Sequence, residues 1–112
     1  MKDQRVYLGH IRDTIDDIFT YAAVGRGAFM VERMRQDAVI RKLEIIGEAV
    51  KQLSDETKQR RPEIARKRIA GMRDRLSHAY FGVDLGLVWV VGERDLRALA
   101  VAVAALLSDD HA

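Results

Sequence analysis

Apolar residues recur along the chain at the spacing of an α-helix, and this pattern predicts two long helices in the first half. The first is expected over about residues 3–21, with an apolar stripe formed by Leu8, Ile11, Ile15, Ile18, Phe19 and Ala22. Residues 25–27, Gly-Arg-Gly, should break it because glycine weakens helix. A second helix is expected over about 29–53, with the near-heptad stripe Val39, Leu43, Ile46, Val50 and Leu53.

Capping and turn residues divide the second half of the chain. Ser54 opens a polar segment, and Pro62 suits the first turn of a third helix, where its missing N–H has no helical partner. Gly82 is expected to end that helix, and Asp84 and Asp95 can cap two more. Inward positions of the third and last helices are Ile69, Met72, Leu76, Leu96, Leu99, Val103, Leu106 and Leu107. The pattern predicts an all-α, up-and-down bundle of four to five helices.

Composition limits the chemistry that this bundle can carry. A chain of 112 residues is expected to form one domain, 1–112, with 108–112 as a frayed tail. It contains no cysteine and no histidine pair at ligand spacing, so neither thiol chemistry nor a metal site is expected. The N-terminus lacks a signal-like apolar segment, and the apolar run 96–107 is too short for a bilayer, which favours a cytoplasmic protein without membrane contact.

The positive charge is concentrated in one stretch of the chain. Residues 58–75 hold eight basic and two acidic residues, a balance of +6, whereas the rest holds eleven basic and fifteen acidic residues, a balance of −4. Such a block is typical of a surface that binds a polyanion, although a solvated helix face has the same composition.

A cluster of polar residues lies at the end of the basic stretch. Asp74 and His78 are four residues apart, so on a helix the carboxylate can reach the imidazole and favour its protonated form, which raises its pKa. Arg73 and Tyr80 are separated by about 20° around the helix axis, but Arg73 and His78 diverge by about 140°. Local unwinding or a second copy of the helix could bring Arg73 and His78 together.

Ordinary structural roles can also explain these residues. His78 and Arg75 would lie near a helix C-terminus, where cations interact favourably with the last carbonyl groups. Tyr80 could be a core or interface aromatic residue. Spacing alone therefore leaves both interpretations open.

The segment 71–82 resembles the HepT family of the HEPN superfamily. That superfamily has an arginine, a polar residue and a histidine four to six places after the arginine, matched here by Arg73, Asp74 and His78. The HepT subtype adds a tyrosine two places later, matched by Tyr80. The flanks are similar as well, so the resemblance covers about residues 35–107.

The resemblance implies a HEPN-like homodimer that acts as the RNA-cleaving toxin of a type VII toxin–antitoxin system. Arg73, Asp74 and His78 would be catalytic without a metal or cofactor, with His78 transferring a proton, Asp74 orienting it and Arg73 binding the phosphoryl group. The residues expected to bind the RNA backbone are Arg66, Lys67, Arg68 and Arg75. A nucleotidyltransferase antitoxin of the MntA kind would neutralise the toxin by adenylylating Tyr80.

Two other functional classes fit the same residues. The chain could be a non-catalytic HEPN-type dimer that binds RNA or a nucleotide and uses the cluster only to hold phosphate. It could also be a helical adaptor whose basic face has no ligand. RNA binding without shortening of the RNA would indicate the first class, and absent or salt-insensitive binding would indicate the second.

Overall fold

Six helices make up most of the described part of the chain, which in the computed structural model comprises residues 4–61, 85–90 and 94–109. They are α1 (Gln4–Ala22), α2 (Arg26–Val31), α3 (Arg33–Lys51), α4 (Asp55–Arg60), α5 (Leu85–Val90) and α6 (Leu96–Asp109). Helix α1 packs against α3 and α6, and α2 packs against α3 and α5. Within these residues there is no strand, and the prediction of an all-α fold is confirmed.

The core lies where α1, α3 and α6 meet, and each of these helices contributes one apolar stripe. The buried side chains are Leu8, Ile11, Ile15 and Ile18 of α1, Val39, Ile40, Leu43, Ile46 and Val50 of α3, and Leu96, Leu99, Ala102, Val103 and Leu106 of α6. Leu53 is also buried, although α3 ends before it. The stripes predicted for the first, second and last helices are therefore confirmed, with Phe19, Ala22 and Leu107 only partly buried, whereas Ile69, Met72 and Leu76 lie outside the described residues.

The corner between α1 and α2 depends on one glycine. Gly25 has φ +93° and ψ 164°, a conformation that is essentially restricted to glycine. Its N–H donates to the carbonyl of Ala22 at 3.0 Å, and its own carbonyl accepts from Phe29 at 3.1 Å as α2 begins. Gly27, by contrast, lies inside α2 without a positive φ, so only Gly25 makes the predicted break.

This difference between two neighbouring glycines gives a matched pair of stability predictions. Gly25→Ala should lower the free energy of unfolding by about 1–3 kcal/mol because alanine must adopt a strained backbone conformation. Gly27→Ala should raise it by about 0.4–1 kcal/mol, since it restricts the unfolded chain and the new methyl group meets open space. Urea unfolding of both variants checks this. Equal effects of the two substitutions would show that the Gly25 conformation is not required.

The predicted second helix is wrong in one respect, because the chain breaks at Glu32. This residue is extended (φ −100°, ψ 97°) and separates α2 from α3. Side chains from α3 satisfy carbonyl groups near the break: Gln36 Nε2 donates to Phe29 O at 2.9 Å, and Arg35 donates to Tyr21 O at 3.0 Å. Gln36 thus replaces a helical hydrogen bond that the break removes, whereas Arg35 joins α3 to the end of α1.

The polar segment after α3 forms the short helix α4, which is tied to the beginning of α1. Ser54 is its N-cap, and the Ser54 hydroxyl accepts from Thr57 N at 3.1 Å. The Ser54 N–H donates to Gln4 Oε1 at 2.7 Å. Arg61, which follows α4, leaves the helical region (φ −138°, ψ 77°), as the residue before a proline usually does.

Three expectations concern residues outside the described ranges: the third helix from Pro62, the cap at Asp84 and the tail at 110–112. Helix α6 itself continues through Asp109, two residues into the segment that was expected to fray. No helix in the described ranges combines the length and apolar character that a membrane span requires.

Candidate functional site

The motif residues and the central basic residues lie in the sequence between α4 and α5. This segment, residues 62–84, is outside the described part of the structure. It contains every residue predicted for catalysis, modification or RNA binding: Arg66, Lys67, Arg68, Arg73, Asp74, Arg75, His78 and Tyr80. Their roles remain predictions, and the structure describes the helices that flank them.

The N-terminal end of the basic stretch belongs to α4 and the residue after it. Lys58 and Arg60 lie in the last turn of this helix, and two acidic residues lie in its first turn. This order complements the helix dipole, so the positive charge collects at the end from which residues 62–84 depart. Because the N-cap residue Ser54 donates to Gln4, the beginning of α4 lies beside the first turn of α1, and the basic end follows one short helix later.

The other end of α1 borders an apolar pocket of about 200 Å³. It is lined by Ile18, Phe19, Ala22, Ala23, Phe29, Val39, Val88, Trp89 and Arg97. The rings of Phe29 and Trp89 are 5.3 Å apart between centroids and tilted by 43°. Since α1 has 19 residues, and a helix rises about 1.5 Å per residue, its two ends are separated by well over 20 Å. The pocket therefore lies at the opposite end of α1 from the beginning of α4.

The outward face of α6 is apolar as well. Its exposed residues include Ala98, Val101 and Ala104, and Val101 exposes 73% of its surface. The opposite face of α6 supplies the core. A helix that is apolar on all sides is usually covered on all sides, so this face is a candidate protein contact.

Ion pairs in the described ranges are exposed or partly exposed and serve the scaffold. Lys42 Nζ lies 3.1 Å from Asp17 Oδ2 and joins α3 to α1. Among residues 4–61, 85–90 and 94–109, no group of three or more histidine, aspartate or glutamate side chains could hold a metal ion.

The helices and the motif that follows α4 define an all-α protein of the HEPN type, and comparison with known families identifies the group. A family model described as "Ribonuclease HepT-like" matches residues 11–106. The chain belongs to this HepT-like ribonuclease family. The match includes residues 62–84, and with them the complete predicted motif.

Curated relatives carry names that agree with this family. The chain is 40% identical over 109 residues to a Methanocaldococcus jannaschii protein named "Gamma-glutamylcyclotransferase and putative RNase", covering 96% of this chain and 49% of that protein. It is 46% identical over 71 residues to a "Probable ribonuclease HepT" of Thermococcus cleftensis, covering 63% and 64%. A "Putative RNase" of Caldanaerobacter subterraneus is 34% identical over 111 residues, covering 98% and 99%.

The chain thus spans about half of the first of these relatives and about two thirds of the second. No solved structure matches it.

Sequence reasoning did not identify the pocket between α1, α2, α5 and α6. In the sequence, Trp89 was recognised only as a residue of a predicted helix and of the segment that resembles the family. A usable signal was present, because Trp89 is the only tryptophan of the chain. An aromatic ring of this size generally marks a contact or binding surface.

Proposed function

We propose that the chain is the toxin of a type VII toxin–antitoxin system and cleaves RNA without a metal ion. The observation that carries this proposal is the family match over residues 11–106, which includes the Arg73, Asp74 and His78 motif. Relatives named as ribonucleases, one of them of nearly the same length, support it.

The proposed reaction uses the 2′-hydroxyl of the RNA itself as nucleophile. It attacks the adjacent phosphorus, the bond to the 5′ oxygen of the next nucleotide breaks, and a 2′,3′-cyclic phosphate and a 5′-hydroxyl result. His78 exchanges the protons, because an imidazole titrates near neutral pH. Arg73 binds the phosphoryl oxygens as a permanent bidentate cation, and Asp74 orients the imidazole.

The basic stretch supplies the proposed contact with the RNA backbone. Its first cations, Lys58, Arg60 and Arg61, lie in and just after the last turn of α4, and Arg60 is exposed. Arg66, Lys67, Arg68 and Arg75 follow in sequence. Cations of this stretch would bind phosphates independently of base sequence.

A cleavage assay on structured and single-stranded RNA tests this function. We expect the purified protein to shorten RNA in the presence of EDTA and to leave cyclic phosphate ends, since no metal-bound water is involved. RNA retained at full length would indicate the non-catalytic binding dimer. Absent or salt-insensitive binding would indicate a helical adaptor, and strict dependence on magnesium would contradict the mechanism.

The proposed partner is a nucleotidyltransferase antitoxin of the MntA kind. It would transfer adenylate from ATP to the hydroxyl of Tyr80 and release pyrophosphate. The modified tyrosine lies two residues after His78, so the added phosphate would compete with RNA for the same cations. Adenylylation of Tyr80 is thus proposed as the way in which the RNA-cleaving activity is switched off.

The active form is proposed to be a homodimer. Arg73 and His78 diverge by about 140° on one regular helix, so a second copy could complete the site. The apolar outer face of α6 gives independent support, because Val101 is 73% exposed although the helix is apolar on both sides.

The exposed face of α6 makes the dimer testable by one substitution. Val101→Glu should raise the dimer dissociation constant by at least about tenfold, because it places a charge in an apolar contact. Light scattering over a concentration series measures this. Gln52→Glu at the exposed C-cap of α3 is the control, since it adds the same charge at a position that is already polar and should leave the dimer intact. A wild-type monomer at micromolar concentration would contradict the homodimer, and an unchanged Val101→Glu dimer would exclude this face of α6 from its interface.

A further inference from the structure

The pocket at the C-terminal end of α1 has a closed apolar base and an open rim. Its base consists of Ile18, Phe29, Val39 and Val88, all of which are buried. Around the rim, Phe19 and Trp89 are half-buried, and Ala23 is exposed. The pocket can therefore take an apolar group from solvent without rearrangement of the core.

The size of the pocket limits its ligand. An apolar cavity of roughly 150 Å³ can hold one benzene molecule, and this pocket has about 200 Å³. A single ring or a short alkyl chain therefore fits. Pockets that take larger organic ligands usually have roughly 300–1,000 Å³, so a whole nucleotide is excluded.

One charged side chain determines the polarity of the rim. Arg97 is exposed, lines the pocket and lies in the first turn of α6. In the described ranges it forms no salt bridge and no side-chain hydrogen bond. The N-terminal end of a helix also favours negative charge. A ligand whose apolar part enters the pocket would thus place its polar end beside a cation.

We propose that this pocket binds a small amphipathic anion, in which a short alkyl chain or single ring carries a carboxylate. The apolar part contacts Phe29 and Trp89, and the carboxylate accepts hydrogen bonds from the Arg97 guanidinium. The site lies at the opposite end of α1 from the beginning of α4, and its volume is too small for a nucleotide, so its occupant is distinct from RNA.

Trp89 provides the measurement, because it is the only tryptophan and it lines the pocket. Hexanoate titrated into the purified full chain should change Trp89 fluorescence saturably, with a dissociation constant of about 1 mM. The neutral 1-hexanol should bind about three- to tenfold more weakly, and the cationic hexylamine more weakly still. A rise in melting temperature with hexanoate gives a readout independent of the fluorophore.

Variants at the rim distinguish recognition of the ligand's carboxylate by Arg97 from burial of its apolar part in the pocket. Arg97→Gln should weaken hexanoate binding by about three- to tenfold and leave 1-hexanol binding nearly unchanged. Arg94→Gln is the control, because Arg94 is exposed in the same region and does not line the pocket. Ala23→Phe should narrow the rim and weaken both ligands, whereas Val24→Phe, beside it and outside the lining, should not.

The proposal is overturned if hexanoate causes no saturable change up to tens of millimolar in wild-type protein. It is overturned equally if hexanoate and 1-hexanol bind alike and Arg97→Gln has no effect. Neither result bears on the proposed RNA cleavage, because none of the described residues that line the pocket is assigned a role in it. Circular dichroism shows that each variant retains its helices before the titrations are compared.

Discussion

Replacing His78 by alanine should lower the rate of RNA cleavage by about 10²–10⁴-fold and abolish toxicity in cells. The size of this loss is that of a group that transfers a proton in the transition state. The 2′-hydroxyl is a poor nucleophile unless a base removes its proton, and alanine cannot do so. Arg73→Ala should cause a loss of about 10²–10³-fold, because it removes the cation that stabilises the developing phosphorane.

Matched substitutions distinguish a catalytic role from a general effect of lost charge. His10 is exposed on α1 and Arg26 is exposed on α2, both in the described part of the chain. His10→Ala and Arg26→Ala should retain full cleavage, although each removes the same type of side chain. Cleavage rates are compared on one fluorescently labelled RNA in EDTA, and circular dichroism is recorded for each variant.

Two results would contradict these catalytic assignments. Full activity of His78→Ala would remove the proposed proton donor and acceptor from the mechanism. Unfolding of His78→Ala or Arg73→Ala would instead show that these residues stabilise the fold. For His78, that result would agree with the alternative role of a cation at a helix C-terminus. A folded, inactive variant that still binds RNA is the expected outcome.

Tyr80→Phe should make the proposed toxin resistant to the proposed nucleotidyltransferase antitoxin. Phenylalanine keeps the aromatic ring, so cleavage should be retained, but it lacks the hydroxyl that accepts the adenylate. Co-expression with the nucleotidyltransferase should therefore rescue cells that carry wild-type toxin and fail to rescue cells that carry Tyr80→Phe. Intact mass of the co-expressed wild-type protein should increase by one or more adenylate groups.

The other two tyrosines of the chain are the controls for this experiment. Tyr7 and Tyr21 are half-buried and pack against the core, where a bulky anionic group would be unfavourable. Tyr7→Phe and Tyr21→Phe should both remain sensitive to the antitoxin. Adenylate found on Tyr7 or Tyr21, or neutralisation of Tyr80→Phe, would show that Tyr80 is not the switch.

The spacing of apolar residues predicted those helices that turn a single apolar stripe towards the core. The stripes of α1 and α6 and the stripe from Val39 onward are buried as expected, because in each the large apolar residues recur at helical spacing. The break at Glu32 was not predictable in the same way. No stripe residue lies between Phe29 and Val39, and the break contains neither proline nor glycine. It is accompanied by hydrogen bonds from the side chains of Arg35 and Gln36, which no pattern encodes.

The two candidate sites also differ in how far the sequence alone could predict them. The motif from Arg73 to Tyr80 is local in sequence, so spacing and resemblance are enough to predict it from the amino-acid order alone. The pocket joins Phe29 to Trp89 and Arg97, which lie far apart along the chain and meet only because α2 packs against α5. Sites of this second kind depend on tertiary contacts that a single sequence does not reveal.

The hydrogen bond between Gln4 and Ser54 has a consequence for biosynthesis. It joins residues separated by 50 positions, so α1, α3 and the beginning of α4 form one contiguous N-terminal unit. Translation adds about 5–20 residues per second from the N-terminus, so all residues of this unit are synthesised before residues 62–84. Helix α6, which covers the other side of α1, is synthesised after that segment. A nascent chain consequently keeps apolar surface of α1 exposed until α6 has left the ribosome, and the core closes only after residues 62–84 have been made.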